Sequence, residues 1–481
     1  MLDNEEINKI EKCVTGEKFM ENKYSLEDKD NKIIRVVWRH PGTDVTGIVS
    51  RSEKIVSSCE KLLDGEVYHY HAKLIMKEPE VSGPIYWHQD YGYWYHYGNL
   101  FPDLLTVWVA VDSSTIENGC LEVLAGSNKC GRLDHHVDDG QNQVAELSRL
   151  ESIKERCPHV KAEMEKGDVL FLHSNTLHYS SPNRSKMRRI GFLMCYNKAS
   201  NESVMKHHHA QYTPIQKVPD SAIKESTKKN HEYDHYYLWY EKDERMSKLS
   251  YIGRYVEKGA KKAPRIIWSH PGTDVTGMAA RCEKVVNTCE KLLGGEVYHY
   301  HSKYMLKDPN MAAPHYWHQD YGYWYKCGNL FPDMMTVWVA LDKAVKQNGC
   351  MEILSGSHKC GRIEHHPFDG QYVGLKSRVD LIRERCPHHY MEMNPGDALF
   401  FHCNTIHHSS ANKSDLRRWA YIMTYNRASN NPTMVHHHPQ YTPLEKVANS
   451  AIKECTNYTD LSGKDFIHPL KNTTLTELYQ R

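Results

Sequence analysis

The chain has 481 residues, and its 61 Lys+Arg against 60 Asp+Glu leave a formal net charge of +1, so there is no electrostatic case for nucleic acid or an acidic membrane as partner. Its 14 cysteines form no Cys-x-x-Cys pair, which argues against a zinc ribbon or a redox dithiol and suits reduced thiols in the cytoplasm. No apolar run reaches the roughly 18 residues a membrane span needs, and the opening Met1-Leu2-Asp3-Asn4-Glu5-Glu6-Ile7 is too charged to read as a signal peptide.

In chain order, the dominant feature is a long internal repeat. His40-Pro41-Gly42-Thr43-Asp44-Val45-Thr46-Gly47 returns as His270-Pro271-Gly272-Thr273-Asp274-Val275-Thr276-Gly277. Thr106-Val107-Trp108-Val109-Ala110 returns at Thr336 to Ala340. A period this long is a whole domain rather than a solenoid unit. The expectation is a tandem duplication, with one domain over 1–230 and a second over 231–481. The two meet in the polar stretch Lys228-Lys229-Asn230-His231-Glu232 and are expected to pack against each other.

Within the first copy, apolar residues from Ile48 to Leu63 recur at helical spacing and stop before Gly65, predicting one helix. Short segments rich in β-branched and aromatic residues follow: 66–76, 106–112, 120–124, 167–173 and 189–197. The second copy repeats the series at 297–306, 336–342, 350–354, 396–402 and 418–426. Asn118-Gly119 and Asn348-Gly349 read as tight turns between two strands. Many short strands after a helix predict a mainly β fold with flanking helices, a sandwich or jelly roll.

Residues 86–95, Tyr-Trp-His-Gln-Asp-Tyr-Gly-Tyr-Trp-Tyr, recur unchanged at 316–325. Each copy holds a His-x-Asp pair, His88 with Asp90 and His318 with Asp320. On one strand, residues i and i+2 share a face. That supplies two legs of a 2-His-1-carboxylate triad for non-haem Fe(II). The third leg has two candidates per copy, His173 or His178 and His402 or His407. His178 and His407 are preferred, because each precedes Ser-Ser-x-Asn and stands eleven residues before an arginine, Arg189 or Arg418. An iron with one open face takes a co-substrate such as 2-oxoglutarate, whose far carboxylate suits the planar fork of an arginine. Ser180 and Ser409 add a hydroxyl donor nearby.

Trp-His-Gln-Asp-Tyr-Gly-Tyr-Trp, Asn-Gly-Cys-x-Glu-x-Leu-x-Gly-Ser, Gly-Asp-x-Leu-Phe-x-His and the final His–Ser–Asn–Arg series resemble the phytanoyl-CoA dioxygenase family, nearest its ectoine hydroxylase and free-proline hydroxylase branch. The resemblance runs over about 40–200 and 270–430. It implies two tandem double-stranded β-helix (jelly-roll, cupin-like) domains using Fe(II), 2-oxoglutarate and O₂. It implies His88, Asp90 and His178, and His318, Asp320 and His407, as iron ligands. Arg189 with Ser180, and Arg418 with Ser409, would hold the oxoglutarate, and Trp94 and Trp324 would stand near the iron face. His71 and His301 replace a glutamine of the ectoine enzymes, which argues against ectoine itself as substrate. The aspartates point to hydroxylation rather than halogenation.

The expected activity is therefore hydroxylation of an unactivated C–H of a small molecule, a free amino acid or similar polar metabolite, with release of succinate and CO₂. The alternatives are an acyl-CoA hydroxylase of the phytanoyl-CoA type, or a binding or regulatory protein whose halves have lost turnover. The paired histidines His135-His136 and His365-His366, and the triplets His207–His209 and His436–His438, read as solvated or pocket-mouth segments. Adjacent residues on an extended chain cannot all face one ion. Lys77 and Lys307 are placed to assist a carboxylate, but read first as surface lysines.

Overall fold

The computed structural model describes residues 1–20, 24–28, 31–80, 83–137, 143–207, 209–226, 265–310, 314–458 and 460–464. The chain divides into two compact units, Met1–Ile252 and Gly253–Arg481. The polar stretch 228–232, proposed as linker from sequence, lies outside the described residues.

In the first unit eight strands form the roll: β1 (Val67–Lys77), β2 (Ile85–His88), β3 (Leu104–Ala110), β4 (Leu121–Leu124), β5 (His159–Ala162), β6 (Val169–His173), β7 (His178–Ser180) and β8 (Arg189–Lys198). The larger sheet runs β1-β8-β3-β6, extended beyond β1 by Asn31–Trp38 and Tyr24–Asp28, and the smaller runs β2-β7-β4-β5. Pairing is antiparallel throughout. Successive pairs of strands thus wind alternately through two sheets, the topology of a double-stranded β-helix. The second unit repeats it with β9 (Val297–Lys307), β10 (His315–His318), β11 (Met334–Ala340), β12 (Met351–Leu354), β13 (His388–Met391), β14 (Ala398–His402), β15 (His407–Ser409) and β16 (Arg418–Arg427). Its sheets run β9-β16-β11-β14, extended by Arg265–Trp268, and β10-β15-β12-β13.

The period-2 alternation of strands explains how one sheet serves two interiors. Leu74, Met76, Val107, Val109, Phe192 and Met194 face outward into a core closed by the helices through Ile7, Ile10, Ile55 and Val56. Ile75, Trp108 and Leu193, the intervening residues, face inward with Leu121 and Leu172 and line the roll. The long β1–β8 ladder skips Tyr70, and β9–β16 skips Tyr300. Such a bulge re-aims the neighbouring side chain. Here His71 lies against Trp94 and His301 against Trp324, with ring centroids 5.7 Å apart in both.

One expectation is corrected here. The single helix over 48–63 is two, Val45–Arg51 and Glu53–Leu63, interrupted at Ser52 with φ −63° and ψ 142°. A crossing segment causes the break. Val218 donates to the Arg51 carbonyl and accepts from the Glu53 N–H, so the helical ladder yields to a bridge. Asn118-Gly119 is the expected turn between two strands, with Gly119 at φ 78°, and the strands it joins belong to different sheets.

The repeated His-Pro-Gly-Thr-Asp-Val-Thr-Gly is a helix entry. Asp44 caps Val45–Arg51 by accepting from the Gly47 N–H at 2.9 Å, and Asp274 does the same for Gly277 at 3.0 Å. A Cβ on Gly47 would stand 2.3 Å from the Pro41 and Gly42 carbonyl oxygens, which is backbone that cannot step aside. Gly47→Ala is therefore expected to cost about 1–3 kcal/mol, seen as a lower midpoint in urea denaturation with unchanged slope.

Candidate metal centre

Strand β2 ends at His88, Gln89 stays extended at φ −113° and ψ 133°, and Asp90 opens the short helix Asp90–Trp94. The pair is thus not on one strand face, as the sequence spacing suggested; the chain turns into a helix between its two members. The turn still brings them together, with His88 Nε2 3.9 Å from Asp90 Oδ1. β7 lies beside β2 with His178 paired to His88, and His178 Nε2 is 4.0 Å from the same carboxylate oxygen. The three ligand atoms lie within 4.8 Å of one another, as do those of His318, Asp320 and His407. Among the described residues these two triads are the groups of His, Cys, Asp and Glu able to hold an ion. His173, the other candidate, is outside its triad and accepts the Asn175 N–H on Nδ1 at 3.1 Å.

Each triad is prepared for a cation. His88 Nδ1 donates to the Tyr86 carbonyl at 2.7 Å and His178 Nδ1 to the Thr176 carbonyl at 2.9 Å. His318 and His407 do likewise with Tyr316 and Thr405. A carbonyl can only accept, so the proton sits on Nδ1 and every Nε2 presents its lone pair to the centre. Burial holds all four imidazoles below their ordinary pKa and keeps them neutral. Burial alone would raise the Asp90 carboxyl, but the Lys73 ammonium and the Thr106 hydrogen bond hold it below the usual range. Thr106 donates to its second oxygen at 2.6 Å, and Thr336 does so for Asp320 at 2.7 Å.

The residue between the ligands is the anchor. Gln89 Nε2 donates to the Gly131 carbonyl at 2.9 Å and the Asn175 carbonyl at 2.6 Å, and Oε1 accepts from the Leu133 N–H at 2.8 Å. Its own N–H donates to His135 Nε2 at 3.0 Å, while His135 Nδ1 donates to the Leu133 carbonyl. Gln319 and His365 repeat every one of these bonds. Gly92 and Gly322 belong to the same clip: a Cβ there would stand 2.4 Å and 2.5 Å from the imidazole of His135 and His365. His135 and His365 are thus packed supports of the centre rather than solvated residues, a correction of the sequence reading.

Behind each triad lies a buried cation. Arg189, the first residue of β8, donates through Nη1 to the Gly119 carbonyl and to Ser180 Oγ at 3.2 Å, while its Nε and Nη2 have no hydrogen-bond partner. Arg418 likewise leaves Nε and Nη2 unpaired. Burial pushes both guanidinium groups down to about 10, still protonated near neutrality. Arg418 and Ser409 line a small room with Lys303, Asp320 and His407. The matching room of the first unit is lined by Ser180, Lys73, Asp90, His178 and the inward residues Ile75 and Trp108. Ser180 spends its hydroxyl proton on the Gly119 carbonyl at 2.9 Å, so it orients the arginine. Lys77 is fully buried, contrary to the surface reading, and donates to the Ser180 and Ser181 carbonyls; Lys307 does the same at Ser409 and Ser410.

Of the remaining expected residues, Trp324, His301, His437 and His438 line a cavity. In the second unit it holds about 150 Å³ and is lined by Trp324, His318, Asp320, His301, His437 and His438 among others. Trp94 is buried against Tyr70 and His71. The triplets are not solvated throughout. His209 and His438 are buried and stack on His71 and His301 at 4.6 Å and 4.8 Å, whereas His208 lies outside the described residues. The sequence by itself assigns no role to Gln89, Thr106 or Lys73 or to their second-unit counterparts, and their only signal there is that each stands in a repeated segment.

Two outcomes follow from this geometry. Gln89→Leu keeps the volume but strands one N–H and two carbonyls, so Fe(II) affinity of the first centre should fall about 10–100-fold, read by metal titration of a His318→Ala protein. Burial pushes His69 and His299 down to about 3, His135 to about 4 and His365 to about 3. The unfolded chain takes up these protons near pH 6.5 and the folded one does not. Stability should therefore be full above that pH and fall on acidification toward pH 4, by about 1.4 kcal/mol per pH unit for each such histidine. Urea denaturation at pH 7, 6 and 5 measures it, and a flat profile would contradict the burial.

Among known proteins, L-proline trans-4-hydroxylase of Streptomyces griseoviridis is 30% identical over 205 residues, covering 39% of this chain and 75% of that protein. The ectoine dioxygenase of Bordetella parapertussis is 27% identical over 187 residues, covering 36% of this chain and 60% of its own length. The chain thus spans less than two thirds of that relative. The crystal structure of EctD from S. alaskensis with bound Fe aligns with a TM-score of 0.40 at 18% identity, over 46% of this chain and 81% of that one. The profile of the phytanoyl-CoA dioxygenase (PhyH) family matches residues 8–191 and 245–420, most of the chain. With both matched regions carrying a His-x-Asp and a distal histidine gathered within 4.8 Å, the chain belongs to the phytanoyl-CoA dioxygenase family.

Proposed function

We propose that the chain is an Fe(II)- and 2-oxoglutarate-dependent dioxygenase with one such domain in 1–230 and another in 231–481. Each hydroxylates an unactivated C–H of a small polar molecule, a free amino acid or similar metabolite, with release of succinate and CO₂. The observation that carries this reading is the pairing, in both units, of a two-histidine, one-carboxylate triad with a fully buried arginine whose Nε and Nη2 are unsatisfied. A buried guanidinium without an anion is costly. A dicarboxylate that reaches from the triad to the arginine supplies the missing acceptors.

The donor set fits the metal. Two neutral Nε2 atoms and one carboxylate are the facial triad of non-haem Fe(II). Iron, O₂ and 2-oxoglutarate supply the oxidative chemistry when bound. The chain's own residues do the rest. Thr106 and Lys73 hold the Asp90 carboxylate ionised and oriented. Arg189, steadied by Ser180 and by its place over Trp108 at 5.1 Å, takes the far carboxylate of the co-substrate. Ile75, Leu172 and Leu193 keep water from the room between. Trp94 and Trp324 wall the substrate side. A cavity of about 150 Å³ suits a compact substrate better than an acyl-CoA, and intact triads in both units speak against a protein that only binds. Free thiols at every cysteine suit a reducing, cytoplasmic compartment.

Anaerobic addition of Fe(II) and 2-oxoglutarate should give a weak visible charge-transfer band, reduced by about half in His88→Ala and again in His318→Ala. No band in the unsubstituted protein would end this reading. Arg189→Leu in a His318→Ala background should raise the KM for 2-oxoglutarate at least about tenfold, since a buried charged hydrogen bond is worth about 1.5–3 kcal/mol, measured by succinate release.

A further inference from the structure

In each unit a cysteine directly precedes the glycine whose carbonyl holds the anchor glutamine, Cys130 before Gly131 and Cys360 before Gly361. A second cysteine recurs in Arg-Cys-Pro-His at 156–159 and 385–388. Cys360 ends the short turn Ser357–Cys360, and Cys386 follows the helix Lys376–Arg385. Pairing of β12 with β13 sets Leu354 beside His388, and the Ser355 N–H donates to the Pro387 carbonyl at 2.8 Å. That closure brings Cys360 and Cys386 together, and their thiols share a hydrogen bond. The first unit repeats the closure, with Leu124 beside His159 and the Ala125 N–H on the Pro158 carbonyl at 2.8 Å.

Cys360 is fully buried, whereas Cys386 keeps 7% of its surface exposed. The hydrogen bond from Cys360 outweighs burial and holds the Cys386 thiol below its ordinary pKa. Burial instead pushes the thiols of Cys157 and Cys289 up. A thiol with thiolate character, in contact with a second thiol, is a redox-sensitive arrangement. Its position gives it a target. Gly361 offers its carbonyl to Gln319 Nε2 at 2.8 Å, and the Ile363 N–H donates to Gln319 Oε1 at 2.9 Å. Those bonds hold the residue between the ligands His318 and Asp320.

We infer that Cys360 and Cys386 form a peroxide-sensitive site that weakens metal binding at the second centre when it closes to a disulfide. The Cys386 thiolate attacks hydrogen peroxide: an S–O bond forms, the O–O bond breaks, and hydroxide leaves and takes a proton to become water. Cys360 then gives up its proton, and its sulfur attacks the sulfenic sulfur. The S–S bond forms, the S–O bond breaks, and a second water leaves. Two thiols and one hydrogen peroxide thus become one disulfide and two waters, and a dithiol reverses the change. Bonding draws the sulfurs closer than a hydrogen bond leaves them. The turn Ser357–Cys360 moves with its sulfur, and the Gly361 carbonyl and Ile363 N–H draw away from Gln319. Loss of such a support lowers metal affinity about 10–100-fold. The metal consequence rests on the proposed iron reading; the disulfide itself does not.

The test uses the full chain as His88→Ala, which leaves the second centre. The protein is treated with hydrogen peroxide at about pH 7, freed of oxidant with catalase, alkylated and digested. Mass spectrometry should find the Cys360–Cys386 disulfide, formed at least about tenfold faster than Cys130–Cys157. Co(II) titration, read by the absorption of the bound ion, should show an affinity at least about tenfold lower after oxidation. Dithiothreitol followed by desalting should restore it. Cys360→Ser and Cys386→Ser should each bind Co(II) as the parent does and keep that affinity through peroxide treatment; either variant suffices if the other folds poorly. No Cys360–Cys386 disulfide, equal rates for the two pairs, or an affinity unmoved by a mapped disulfide overturns the inference. Failure of the untreated protein to take up Co(II) overturns the iron reading instead. The disulfide map needs no metal and still decides the cysteine site.

Discussion

Gln89 and Gln319 carry the constraint on which each centre depends. One ligand must end a strand of the small sheet and the next must start a helix two residues later. The residue between is held extended while the chain changes direction. Its amide binds the Gly131–Leu133 loop on one side and the Asn175 carbonyl on the other, three residues before His178. One side chain therefore ties together the loops that present all three ligands. Each bond contributes only about 1 kcal/mol net, but leaving any of these buried groups unmet costs more. His135 completes the clip in a single neutral tautomer, and Gly92 is glycine because the imidazole occupies the space of its Cβ.

The second organising term is electrostatic. Arg189 and Lys77 are buried together at the start of β8 and the end of β1, paired across the ladder. Their protein partners are carbonyls and a hydroxyl, which satisfy only part of their donor capacity. Such a site is under-compensated in the free protein and favours any anion that fits it. The roll makes this possible because its inner face is lined by Ile75, Trp108 and Leu193. Those residues lower the local dielectric and strengthen the attraction for a carboxylate.

The two units keep this scaffold nearly unchanged and vary what surrounds it. The helix-entry cap is the clearest case: Asp44 Oδ2 accepts from Cys13 Sγ at 3.3 Å in the first unit, and Asp274 Oδ2 from Lys464 Nζ at 2.7 Å in the second. Different segments of the chain, one early and one late, close the same acceptor. Around the triads the variation lies in the walls, at Ile75 against Met305, Leu172 against Phe401, Ile85 against His315 and Tyr97 against Cys327 among others. Ligand geometry tolerates no change, and a cavity wall does.

Much of this was legible in the linear sequence. The word-for-word return of residues 86–95, the strand-sized β-branched segments and the fixed interval from His178 to Arg189 point to a repeated, mainly β domain with a His-x-Asp pair, a later histidine (His178 preferred over His173) and an arginine, since each is a local pattern with a local cause. Tertiary structure decided the rest. The break at Ser52 comes from Val218, about 166 residues away, and no helical periodicity contains it. His135 and Lys77 look like surface residues in sequence because their partners, Gln89 and the Ser180–Ser181 carbonyls, are distant along the chain and adjacent only after the two sheets close. By itself the sequence determined which residue types were present to bind a metal and an anion. The folded arrangement determined which of the 32 histidines turn a lone pair to the centre and which serve as packed supports, because that choice rests on where each Nδ1 proton finds its carbonyl.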